Sequence, residues 1–532
     1  MRRVILQNMM PLKLCLFVDG LDEYEGDETE IAELFAQFST TDRIKCCVSS
    51  RPHKPFLDAF ANIPSLRLQD LTYPDIQQYV SDKLEADAKM QRLAMTRQHD
   101  VQDLVDEIVT SASGVFLWVR LVVASLLRGL GNDDDIEDLQ ARLRALPKDL
   151  EALYTHMILR VEEVYQQESS RMFLLVGTAT FPRWDDMTGV TPLSALALKF
   201  AAEDHDSLAL TAPMHFADYG TITEWSKTII SKLVTRCGGL LEAHVNKRTI
   251  LARTDITFMH RTVKDFLERP ESKTLLERKA TKNPATPFIP EFAILKSMVL
   301  LLKAEDRVAD SRYADTVLNV AILHARRLES RSDAPRGQIN AVLDELMTTA
   351  HHWIKLAPSS QPIFHPESTR YTIAVECGLH QYIRHLLQQD NIILEEAKSK
   401  RRSLLSRALT PRVGYGRFCS PRTVESLVDF GADPEEALRF VLSYLKARDY
   451  KTAPTDDPDG AGKAELLAAS RSLLIKLIPL QRRQLGGELS FLRDHPGGWE
   501  DILRVADETE TLSRNKGPKK RTGFLRMLGI RR

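Results

Sequence analysis

Residues 14–23 read L-C-L-F-V-D-G-L-D-E, five apolar side chains followed by three carboxylates around a glycine. An unbroken apolar run of this kind fits a strand buried on both faces, and such strands belong to parallel sheets covered by helices on either side. Helical spacing over 31–38 follows. A second apolar run at 44–49 (I-K-C-C-V-S) is closed by Arg51-Pro52, and a short alternating stretch lies at 65–69 (S-L-R-L-Q). Strands separated by helical stretches imply crossover connections, so residues 1–72 are expected to form an α/β unit.

From Tyr73 onward the apolar period changes to that of a helix. Helices are expected at 74–86, 100–112, 115–130, 134–145 and 148–165, together a helical domain over 73–165. Residues 166–270 are mixed. A segment punctuated by Pro and Gly at 181–192 precedes an apolar stretch at 240–245, a polar turn at 246–248, an apolar return through 250–251 and 256–260, and a helix at 262–268. Strand, turn, strand and helix in that order fit a β-wing packed on a helix, so a winged-helix-like domain is expected here. Residues 271–290 are polar and proline-bearing and read as a linker. The chain from 291 to 450 is helical again, 451–463 reads as a disordered loop, 464–513 as helical and 514–532 as a basic tail.

Length and charge narrow the function classes. At roughly 100–200 residues per domain, 532 residues make three or four domains. The chain carries 72 basic and 73 acidic side chains, a net charge of −1, which excludes a chain that is basic throughout and gives no general argument for nucleic acid. Six cysteines at 15, 46, 47, 237, 377 and 419 contain no CxxC pair, so zinc-ribbon and thioredoxin-type motifs are absent and reduced, cytoplasmic thiols are the default. The N-terminus has no signal-peptide pattern. The apolar segment 115–130 carries Arg120 and Arg128 and falls short of the roughly 20 uncharged residues of a membrane span, so it reads as a buried helix.

The acidic turn after the first strand carries the chemistry. A buried strand can hold Asp19 rigidly at its carboxyl end, where a carboxylate orients water on Mg²⁺, while Asp22 and Glu23 just beyond polarise a second, attacking water. Gly20 lets the chain turn there. Arg51 sits at the end of the next strand, on the carboxyl edge where open α/β sheets bind ligands, and its guanidinium suits a γ-phosphate. The plainer alternatives are a strand with an acidic loop, and an ion pair between Arg51 and one of those carboxylates.

These blocks resemble a family. FVDGLDEYEGD, KCCVSSRPHKPF, LTYPDIQQYVSDKL, ASGVFLWVRLVVASLLRGL and LPKDLEALYTHMI are similar, in order and spacing, to the second part of a fungal NACHT-type NTPase. These are STAND-class switch ATPases related to NOD-like receptors and to nephrocystin-3-like N-terminal domains. The resemblance implies that Asp19 is the Walker B aspartate holding Mg²⁺, that Asp22 and Glu23 are the acidic pair activating water, and that Arg51 is the sensor 1 arginine. It extends to F-M-H-R-T-V-K-D-F-L at 258–267, where His260 matches a winged-helix histidine that contacts the β-phosphate of ADP; the alternative is a hydrogen-bonded interface histidine. The flanking sequence also resembles a fungal domain of unknown function that follows such NTPase modules.

One element of the family pattern is missing. A P-loop, GxxxxGK[ST], supplies the amides and lysine that cradle phosphates, and it belongs upstream of the Walker B strand. No glycine occurs before Asp19, and Gly460-Ala461-Gly462-Lys463 lacks the earlier glycine and the following Ser or Thr. The chain is therefore expected to bind Mg²⁺ and ATP or ADP weakly and not to hydrolyse ATP by itself, unless an upstream segment completes it.

In the C-terminal half, 371–387 resembles an ankyrin repeat core with helix, Gly378 turn and helix, and 423–434 resembles the end of another. Generic helical packing is the alternative. The tail from Arg514 has eight Lys or Arg and no acid, fitting either a solvated terminus or an anionic surface. The sequence thus predicts an incomplete P-loop-type parallel sheet, a helical domain, a winged-helix-like domain and a helical, ankyrin-like region. The function implied is that of a truncated, cytoplasmic NACHT-type signalling switch. It would recognise protein partners through its C-terminal helices, without specific nucleic acid or a transmembrane span, and homo-oligomerise if the switch is intact. The rival reading is an interaction scaffold with a structural NTPase remnant.

Overall fold

The computed structural model describes residues 13–24, 26–39, 44–51, 53–66, 72–179, 193–203, 207–245, 250–283, 286–304, 311–356, 369–389, 404–405, 421–433 and short stretches beyond. It is mostly helical and divides into two units, residues 1–148 and 149–532.

In the first unit, β1 (Leu14–Val18) and β2 (Ile44–Val48) pair in parallel, with Leu14 opposite Ile44 and Val18 opposite Val48. The connection runs through α1 (Glu28–Ser39), and α2 (Lys54–Ala59) follows β2. Leu21, Ala32 and Phe56 form a small core against Val18, Ile31, Phe35 and Val48. Among the described residues, one face of the sheet is covered. Cys15, Phe17, Lys45 and Cys47 are exposed, Phe17 at 80%. The expectation of a strand buried on both faces is thus corrected: both described helices beside the strands lie over the Leu16 and Val18 side. The third expected strand is not formed at 65–66, and the rest of that stretch, like the turn at 246–248, the segment at 181–192, the loop at 451–463 and the basic tail, lies outside the described residues.

The remainder of the first unit is helical: α3 (Tyr73–Glu85), α4 (Ala88–Thr96), α5 (Gln98–Ala112), α6 (Phe116–Gly131) and α7 (Ile136–Arg144). Ile76, Val80 and Leu84 put a buried stripe on α3 at four-residue spacing. Helix α6 is buried along most of its length, and the Trp118 indole donates to the Pro147 carbonyl at 2.7 Å. Caps fix the ends. Asp87 accepts the Lys89 and Met90 amides at the start of α4, and Asp135 and Asp138 form a reciprocal capping box at α7.

The second unit begins with α8 (Leu150–Leu159) and α9 (Glu163–Ala179), so the single helix expected at 148–165 is two. The break at 160–162 is held by the Gln166 side chain, which donates to the Val161 carbonyl at 3.0 Å. Helix α9 also runs through the domain boundary read at 165. A three-stranded antiparallel sheet, ordered β3 (Leu193–Ser194), β5 (Asp255–Phe258), β4 (Leu241–His244), packs with α10 (Ala195–Glu203) and α12 (Tyr219–Arg236); the short α11 (Leu208–Thr211) lies between those helices in sequence. After β5 come α13 (Arg261–Glu268) and α14 (Pro270–Ala280).

Helix α14 replaces the linker expected from 271. Pro270 starts it, Arg278 and Lys279 suit the negative end of its dipole, and Leu276 and Ala280 are buried on the side that meets α9. Helix α15 (Pro290–Ala304) is the centre of the unit, with every side chain from Phe292 to Ala304 buried. Its Lys303 ammonium donates to the carbonyls of Ala209 at 2.9 Å and Ala212 at 2.8 Å and pairs with Glu345 at 2.7 Å, which satisfies a charge buried to 3% exposure. Around it stand α16 (Ser311–Ser330) and α17 (Arg336–Leu356). These are followed by α18 (Arg370–Glu376), a left-handed turn at Gly378 (φ 74°), α19 (His380–Gln389) and α20 (Pro421–Asp429). Among the described residues no helix is long and apolar enough to cross a membrane, and no disulfide joins the described cysteines.

Candidate functional site

The carboxyl ends of β1 and β2 lie side by side because the strands are parallel and in register up to Val18 and Val48. The loops that leave them meet in a series of polar pairs. Ser49 N–H donates to the Val18 carbonyl at 2.9 Å and Leu21 N–H to the Ser49 carbonyl at 2.9 Å, so the two loops are joined by main chain first. The Ser49 hydroxyl then donates to Asp19 Oδ1 and accepts the Gly20 amide at 3.0 Å. Gly20 sits at φ 71°, ψ 55°, a left-handed conformation that a residue with a Cβ adopts only at a cost.

The Asp22 side chain is 10% exposed. Both of its oxygens face residue 51: Oδ1 accepts the Arg51 amide at 3.0 Å, and Oδ2 lies 3.3 Å from the guanidinium Nε. The guanidinium is 53% exposed and lies over the acid from the solvent side. Glu23 ends the one-turn 3₁₀ helix Leu21–Glu23.

A third pair was not read from the sequence. His53 Nδ1 lies 2.8 Å from Glu28 Oε1, with the imidazole stacked on Phe56 at 6.3 Å between centroids. Its signal is the spacing of Ser49, Arg51 and His53 at alternate positions after β2. Asp27 beside it is a cap: Oδ1 accepts the Thr29 amide at 2.7 Å and the Glu30 amide at 3.3 Å, and the Thr29 N–H above all holds its carboxyl below the usual range.

The structure therefore brings Asp19, Asp22 and Arg51 to one sheet edge. His260 belongs to the second unit, at the junction of β5 and α13. There its Nδ1 accepts the Thr262 amide at 3.2 Å, capping α13, and lies 2.9 Å from the Thr262 hydroxyl, which is 2.8 Å from the hydroxyl of Tyr154. Burial raises the Tyr154 phenol above its ordinary value. His260 is exposed, and its hydrogen bonds to Thr262 are those of a capping residue.

The donor set at the sheet edge is paired within the chain. Asp19 and Asp22 are oxygen ligands of the kind Mg²⁺ takes, and Arg51 suits a phosphate, but the acids are engaged by Ser49 and Arg51. Among the described residues no group of three His, Cys, Asp or Glu is arranged to hold a metal ion.

Residues 160–313 match the sequence model of a family described as a domain of unknown function, DUF7791. The matched segment runs from the end of α8 to the start of α16 and includes His260; Asp19, Asp22 and Arg51 lie outside it. No curated protein and no solved structure matches the chain.

Proposed function

We propose that this chain is a NACHT-type (STAND-class) signalling switch protein by ancestry that does not work as an ATPase, and that it acts through protein contacts of its helical C-terminal half. The observation that carries the reading is the parallel strand pair with Asp19 and Asp22 on one loop and Arg51 on the next, in the order the family resemblance requires. The non-catalytic part rests on the use of those groups: each acid is held by a side chain of the chain itself. The match over 160–313 supports a family-associated domain of unknown function after the helical segment. The sheet β3–β5–β4 with α13 supports the winged-helix-like reading of that region, in which His260 would face a β-phosphate.

The C-terminal contacts are proposed from α18, the Gly378 turn and α19, a helix pair of the kind that stacks in ankyrin-like arrays. A pure scaffold is the second reading, and it is favoured by the capping role of His260. Phosphate release from Mg-ATP by the purified full chain tests the proposal. Turnover no higher than that of an Asp19→Ala, Asp22→Ala variant is expected, and turnover that this variant abolishes would overturn it.

A further inference from the structure

Three acidic side chains leave β1 and α1, and three donors leave β2, and they meet one to one: Asp19 with Ser49, Asp22 with Arg51, Glu28 with His53. The donors stand at positions 49, 51 and 53 of the loop that leaves β2. Main-chain bonds from Ser49 to Val18 and from Leu21 to Ser49, with the Arg51 amide donating to the Asp22 carboxylate, join the two loops.

We infer that this row of pairs is a built-in latch that occupies the strand ends with the protein's own side chains, so that the first unit holds one conformation without cation or nucleotide. The inference rests on the switch reading above and specifies the regulation of that site. Of the carboxylates, Asp19 already accepts from the Ser49 hydroxyl, Asp22 faces the Arg51 guanidinium and Glu28 lies against His53. The donors that would meet a phosphate are met by carboxylates. A ligand entering here must break pairs of both kinds, and an external ion gains little where the acids are already satisfied. A nucleotide-free platform follows, and switching would come through protein contacts.

The latch makes an unusual demand, because removing a donor should create a cation response that the native chain lacks. In thermal unfolding of the full chain, 10 mM MgCl₂ against NaCl of equal ionic strength, with or without ADP, should leave the first unit's transition unmoved. Arg51→Ala frees Oδ2 of Asp22, and Ser49→Ala frees Asp19. Each variant should melt earlier in NaCl and recover about 2–4 °C in MgCl₂, as a ligand at several times its Kd would give. Hydrogen exchange over 14–24 and 44–57 should be faster in the variants and slowed again by Mg²⁺, with no Mg²⁺ effect in the native chain. His53→Ala serves as a third variant if Arg51→Ala fails to fold; it should speed exchange over 26–33 alone.

A native chain stabilised by Mg²⁺ or Mg-ADP, or folded variants that gain no Mg²⁺ response, would overturn the latch. Hydrolysis of ATP by the native chain would overturn the parent reading, whereas absence of hydrolysis together with an Mg²⁺-responsive native chain would overturn the latch alone.

Discussion

Asp22 shows how much one side chain holds at the strand ends. Its removal leaves the Arg51 amide without its acceptor, so Asp22→Ala should destabilise the first unit by about 1–3 kcal/mol in urea unfolding. Arg51→Ala should cost less, because a half-exposed guanidinium is screened by water and the amide bond remains. His324 in α16 gives a pH signature of its own. Burial, with the positive Arg327 nearby, pushes its imidazole down to about 3, against an ordinary value near 6.5. The unfolded chain then binds a proton that the folded chain refuses. Stability from this group is complete above about pH 6.5 and falls by up to about 1.4 kcal/mol per pH unit below it. His324→Leu should flatten urea-unfolding stability between pH 6.5 and 5; an unchanged slope would contradict the assignment. At this scale the sequence placed Asp19, Asp22 and Arg51 at neighbouring strand ends, because strand ends and charge are local signals. It hid Glu28 and His53, whose meeting depends on α1 and β2 being placed side by side, and it left the capping role of His260 open beside a ligand role.

The elements repeat the contrast between local and tertiary signals. Apolar runs located β1 and β2, and helical periodicity located α5 and α6 to within a residue or two. The same rule overstated the burial of β1, since hydrophobicity does not reveal how many layers cover a sheet. Phe17→Ser on the bare face should change unfolding stability by no more than about 0.5 kcal/mol, while Phe56→Ala, 2% exposed beneath the same sheet, should cost about 3–5 kcal/mol. Helix α14 was illegible for the opposite reason: it buries Leu276 and Ala280 on one side and its polar residues face out, so composition alone reads as linker.

Helix α19 depends on a neighbour in a way that no local pattern displays. The buried Glu329 at the end of α16 accepts the Tyr382 amide at 2.9 Å and lies 2.8 Å from His380 Nδ1, and the Tyr382 hydroxyl donates to Asp344 of α17 at 2.6 Å. Glu329→Ala should therefore speed hydrogen exchange across 380–389 selectively, with a loss of about 1–3 kcal/mol in protection. Exchange unchanged there would show that apolar packing alone seats the helix.

For the whole molecule, two units carry different kinds of information. The first, 1–148, holds the acid and donor residues at a two-stranded parallel edge, and the second, 149–532, holds the matched segment 160–313 and the helical stack around α15. The family resemblance reads the chain as a switch, and at its strand ends the polar groups are paired with one another. The most direct test is calorimetric titration of the full chain with Mg-ATP and with Mg-ADP, beside an Asp19→Ala, Arg51→Ala variant. No saturable heat from a folded native chain is expected; saturable, Mg²⁺-dependent binding that the variant abolishes would contradict the account.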